Sequence, residues 1–75
     1  MNPTDIQKLI SESIKGCKVS VTTDGLGHYQ AHVVSDLFQG KSRIQRHQMV
    51  YHSLGTLVGN EIHALAIKAE TEEEK

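Results

Sequence analysis

The sequence predicts a small α/β (α+β) layer structure, in which a three-stranded sheet carries its helices on one face. Three observations predict it. Segments of helical period and segments of alternating period follow one another in the order helix, strand, strand, helix, short helix, strand. A chain of 75 residues makes one domain with a small core. With 37% hydrophobic residues, no Trp, two Tyr and one Phe, that core must be aliphatic.

The first helix opens with Asn2 as N-cap and Pro3 near the first helical position. Asp5 favours the positive end of its dipole. Ile6, Leu9, Ile10 and Ile14 recur at helical spacing, while Ser11, Glu12 and Lys15 face away. Gly16 ends the pattern, so the helix spans roughly residues 3–15. Lys18 to Thr23 alternates β-branched residues and reads as a strand burying Val19 and Val21. Asp24-Gly25-Leu26-Gly27 is a turn. Tyr29 to Ser35 is the second strand, with Tyr29, Ala31 and Val33 on one face and Gln30, His32 and Val34 on the other. The two strands form an antiparallel hairpin.

The stretch from Phe38 to Leu54 carries the second helix. Ser42 is its N-cap, Gly40 lets the chain turn into it, and Phe38 can plug the core. Ile44, His47, Val50, Tyr51 and Leu54 fall on one side, and Gln45, Gln48 and His52 on the other. Lys41, Arg43 and Arg46 supply three fixed positive charges, and no acid within the stretch answers them. Arg46 lies at the edge of the apolar stripe, where its stem can pack and its head stay wet. Gly55 marks a break, and Thr56 to Gly59 makes one more helical turn. Glu61 to Ala69 is the last strand. His63, Leu65 and Ile67 point one way and Ile62, Ala64 and Ala66 the other. The larger face, with Leu65 and Ile67, should meet the helices, which places His63 on the helix side at the start of that strand.

Charge is unevenly placed. The net charge is −1, but the last six residues hold four of nine acids and one of eight bases. The remaining body has seven bases against five acids, mildly basic and far from a dedicated nucleic-acid binder. The acidic end, 71–75, reads as a solvated, frayed tail after a single domain over residues 1–70. The opening MNPTDIQK has no signal-peptide apolar region, and no apolar run is long enough to span a bilayer. The lone Cys17 rules out an internal disulfide framework and reads as a small packing residue. Together these predict a cytoplasmic protein. No paired carboxylates, phosphate loop or activated nucleophile points to an enzyme.

Several of these residues carry a family resemblance. Phe38-x-Gly40-x-Ser42-Arg43, Arg46-His47, Val50-Tyr51, Leu54 and His63-Ala64-Leu65 with Ile67 resemble the BolA family, in its IbaG (YrbA-like) branch. The similarity covers about residues 5–70. It implies a fold similar to the class II KH domain, in agreement with the element order. It also implies pairing with a monothiol glutaredoxin of the CGFS type. The pair holds a [2Fe-2S] cluster through the glutaredoxin cysteine, glutathione and the BolA-like partner. The family's histidine near the start of the last strand corresponds to His63. A second ligand comes from the loop between the first two strands, as Cys or His. That loop has no Cys here, and His28 is the only candidate within it. Bacterial members also bear on stress responses and cell shape.

The chemistry agrees with this implication. Imidazole ligates iron, raises the potential of a [2Fe-2S] cluster and is protonatable. One or two histidines cannot hold a cluster alone, so a partner must supply thiolates. Taken alone, His63 reads as a satisfied half-buried histidine, and the resemblance makes it a ligand. His47 reads as structural, hydrogen-bonded in the core, and His52 as exposed. The alternative function is a nucleic-acid-binding transcriptional regulator, with Lys41, Arg43 and Arg46 on phosphates. Against it, Gly25-Leu26-Gly27 and Gly40-Lys41-Ser42-Arg43 both miss the GXXG clamp of a KH domain. The same three cations suit an acidic protein partner. The isolated chain is expected to be a monomer or weak dimer.

Overall fold

A computed structural model describes residues 2–74. The first helix, α1 (Pro3–Ser13), is followed by β1 (Lys18–Thr23), β2 (His28–Val34), α2 (Arg43–Leu54) and β3 (Ala64–Glu70). Single 3₁₀ turns, Asp36–Phe38 and Gly55–Leu57, bracket α2. The three strands form one sheet in the order β1-β2-β3. β1 and β2 pair antiparallel, as the alternation predicts, with Val21 opposite Ala31. β3 pairs parallel with β2, with Ala31 opposite Ile67. A parallel partner needs a crossover, and α2 with its flanking turns supplies it.

The local causes are visible at each end. Asn2 Oδ1 accepts the Asp5 N–H at 3.0 Å and caps α1. Ser42 makes a complete capping box with Gln45: Ser42 Oγ accepts the Gln45 N–H at 3.2 Å, and Gln45 Oε1 accepts the Ser42 N–H at 2.8 Å. Ser35 Oγ accepts the Leu37 N–H at 3.1 Å, which starts a 3₁₀ turn that the periodicity missed. α1 ends at Ser13, earlier than read, yet Ile14 remains buried beyond its end.

Both helices cover one face of the sheet. Ile6, Ile10, Ile14, Val21, Tyr29, Ala31, Val33, Phe38, Val50, Leu54 and Ile62 form the core, with Leu65 and Ile67 packed against it. Phe38 is fully buried, so the chain's one phenylalanine does plug an otherwise aliphatic interior. The other face carries Ser20, Thr22, Gln30, His32 and Ala66 and is open. Among the described residues no helix is long and apolar enough to cross a membrane.

Three expectations need correction. The buried side of α2 is rolled away from the predicted stripe. Val50 and Leu54 are buried, but Ile44 is 71% exposed and Tyr51 38%. Arg46 takes the inward position at the helix start instead, because its guanidinium finds partners there. It donates from Nε to Lys41 O at 3.0 Å and from Nη1 to Ala69 O at 3.1 Å, and lies 5.9 Å above the Phe38 ring. Second, Ile62 is not on the open face. β3 starts only at Ala64, and Ile62 belongs to a tight loop that drives it into the core at 0% exposure. Third, residues 71–74 are tied down rather than frayed; Lys75 lies outside the described residues. Thr71 is 1% exposed, and its N–H donates to Glu74 Oε1 at 2.9 Å. Glu74 takes both guanidinium branches of Arg46, at 2.6 and 3.1 Å, while Lys18 pairs with Glu72 at 2.8 Å.

These contacts set two expected outcomes. Phe38→Ala empties the centre of a small core and should lower stability by about 3–5 kcal/mol in urea denaturation. Arg46, then the Thr71 N–H, holds the Glu74 carboxyl down at about 2 from an ordinary 4.5. A depressed folded-state value stabilises above the ordinary value and is lost as pH falls through the folded one. The urea midpoints of wild type and Glu74→Gln should therefore differ most above pH ~5 and converge towards pH ~2.

Candidate functional site

His63 stands where the loop after α2 delivers the chain to the sheet. Gly59 N–H donates to Ile62 O at 2.8 Å and Ile62 N–H to Leu57 O at 2.9 Å, which closes the loop. The buried Ile62 anchors it. The next residue, His63, is exposed, so a fixed backbone presents a free imidazole. Its N–H donates to Gly27 O at 3.0 Å, and the Ala64 N–H reaches the same oxygen at 3.2 Å. The ring lies over Gly27, whose φ is +87°, and a Cβ there would collide with His63 Cδ2. Gly27 is thus a site residue that sequence reading took only as part of a turn.

His28 is the first residue of β2 rather than a loop residue. Its Nδ1 lies 2.9 Å from Asp24 Oδ2. The Leu26 N–H, at 2.7 Å from Asp24 Oδ1, and then His28 hold the Asp24 carboxyl below its usual range. His28 lines a hollow on the open face with Thr22, Gln30, Ala64 and Ala66, and His63 is not part of it. The two imidazoles are near in strand register but do not line a common hollow. Among the described residues no group of three or more His, Cys, Asp or Glu could hold a metal ion. The donor set therefore fits one ligand to a shared cluster and does not fit a centre held by this chain alone.

The remaining candidates separate. Lys41 and Arg43 are exposed. Arg46 is turned away from a partner: its side chain is 14% exposed and engaged by Glu74, Ala69 O and Lys41 O. The acid that answers it lies 28 residues downstream, outside the stretch in which it was sought. A signal existed in Thr71-x-x-Glu74, the spacing of a capping pair. His47 is half-buried on the flank of α2 rather than in the core, and His52 is exposed. His32 Nε2 lies 2.5 Å from Glu70 Oε1, which engages it on the open face. Cys17 is half-buried, and burial pushes its thiol up, as for a packing residue.

Gly27→Ala should cost about 1–2 kcal/mol through its left-handed backbone and should also shift the His63 ring proton resonances. Gly25→Ala, with φ +84° and open space around it, carries the backbone cost alone and should leave those resonances in place. Equal His63 spectra in both variants would contradict the packing described.

Comparison with known proteins gives the lineage. A family model described as BolA-like protein matches residues 3–74. The acid stress protein IbaG of Escherichia coli strain K12 is 38% identical over 72 residues, which are 95% of this chain and 84% of that protein. SufE-like protein 1 of Arabidopsis thaliana, chloroplastic/mitochondrial, is 42% identical over 52 residues; these are 69% of this chain but only 14% of that much longer protein. The solved structure of a BolA protein homologue from Coxiella burnetii superposes with a TM-score of 0.86 at 33% identity, covering 99% of this chain and 95% of that one. With the observed helix and strand order and the match from end to end of the domain, this chain belongs to the BolA-like family, in its IbaG branch.

Proposed function

We propose that this chain is a cytoplasmic, non-enzymatic adaptor. It pairs with a monothiol (CGFS) glutaredoxin and shares a [2Fe-2S] cluster through His63, in iron–sulfur trafficking or iron- and stress-linked regulation. The observation that carries the reading is the pairing of a buried Ile62 with an exposed His63. The backbone of His63 is clamped on Gly27 O, and its ring is left without a hydrogen-bond partner among the described residues. Such a residue gives one preorganised ligand and no more. The thiolates have to come from the partner, which suits a chain with a single half-buried cysteine. His28, held by Asp24 on the open face, is the weaker second ligand. One relative is named an acid stress protein, which supports a stress-linked role.

A protonatable ligand makes the shared site acid-sensitive, since a protonated imidazole has no lone pair for iron. The nucleic-acid reading keeps Lys41 and Arg43 but loses Arg46 to the tail. If DNA binds, two phosphate contacts give a slope of about −2 in log affinity against log salt, far shallower than in dedicated DNA-binding proteins.

The test mixes the chain with cluster-loaded glutaredoxin and records visible absorption and circular dichroism. Wild type should give a new spectrum and His63→Ala should not. His63→Cys should restore a cluster spectrum that withstands acid better than that of wild type. An unchanged glutaredoxin spectrum with wild type would sink the reading.

A further inference from the structure

Among the described residues, only one side of β3 is paired in the sheet. The Ala64 N–H donates to Gly27 O and Glu70 O accepts the Ser35 N–H at 3.0 Å, so the even-numbered residues turn their backbone groups to β2. Alternation turns those of Leu65, Ile67 and Ala69 outward. Ala69 O is taken by Arg46 Nη1. The backbone groups of Leu65 and Ile67 therefore have no strand beside them among the described residues, while their half-buried side chains pack towards the core.

A groove of about 470 Å³ runs between this edge and α2, with Arg43 and His47 on one wall and Ile67 and Lys68 on the other. Ile44 and Tyr51 are exposed on α2, and their spacing of three and four residues from His47 sets them beside it on the helix surface. Three cations and two acids line it: Glu74 is paired with Arg46 and Glu70 is hydrogen-bonded to His32, whereas Arg43 and Lys68 have no ion pair among the described residues. At one end the Glu74 carboxylate already sits on Arg46, so the chain itself shows how a carboxylate seats there.

We propose that the outer edge of β3 is a docking site for an extended acidic segment of a partner protein, which adds as a fourth strand. Backbone pairing would use Leu65 and Ile67. Alternate side chains of the guest would meet Arg43, Ile44 and Tyr51 on the helix side and Lys68 on the open side. A second copy of this chain is a poor guest, because edge-to-edge pairing sets Arg43 and Lys68 against their own counterparts. An acidic strand removes that repulsion. Neither His63 nor a cluster is needed, so this docking stands apart from the function proposed above.

The experiment uses the full chain, isotope-labelled, and a soluble ten-residue peptide alternating glutamate and valine. Its lysine–valine counterpart and a ten-nucleotide oligothymidylate serve as competitors. The acidic peptide should shift the amides of Leu65, Ile67 and Ala69 and slow hydrogen exchange at Leu65 and Ile67. Arg43→Glu with Lys68→Glu, both on exposed positions, should weaken it roughly tenfold or more and bring in the lysine peptide instead. Absence of binding at millimolar peptide, unchanged exchange at Leu65 and Ile67, or equal binding of both peptides would overturn the proposal. So would tighter binding of the oligonucleotide at the same amides, or self-association of the free chain through them.

Discussion

The structure hangs on one guanidinium. Arg46 joins two stretches far apart in sequence: Phe38 and Lys41 before α2, and Ala69 and Glu74 at the end of β3 and in the final turn. A planar fork of five donors can do this where an ammonium cannot. Because Arg46 holds the start of α2 to the far end of β3, the crossover helix cannot slide along the sheet. Its register in turn fixes the loop that carries His63. The charge that looks most like a surface contact is thus the one spent inside the molecule.

Much of the fold was readable where one residue decides one local bond. Asn2, Ser42 and the alternation of Tyr29, Ala31 and Val33 act within a few positions, and each was found. What escaped depends on distant partners. The roll of α2 could not be read from Ile44 and Tyr51, because the competing inward residue is held by Glu74 near the other end of the chain. Ile62 was misplaced because a period of two was extended back to Glu61, through residues 61–63, where the backbone turns and bends before β3 begins at Ala64. Thr71 is buried by a contact that composition alone describes as an acidic tail.

The candidate site shows the same division. His63 was singled out through family resemblance, and the structure leaves it exposed on a clamped backbone. No pattern in the sequence marked Gly27 as the floor beneath it, since the contact joins residues 36 apart across two strands. His28 came from the same resemblance; the hollow it lines lies on the open face, where the pleat directs it, and His63 is not part of that hollow.

The parallel pairing of β2 with β3 also orders events in time. The β1–β2 hairpin closes over a few residues, whereas β3 must travel across α2 before Ala64 meets Gly27. Contacts of such long sequence separation form late. On the ribosome, His63 has no defined position until the last strand has emerged and docked. A chain in mid-synthesis, or one cut short before β3, therefore leaves His63 without the Gly27 clamp that fixes its backbone.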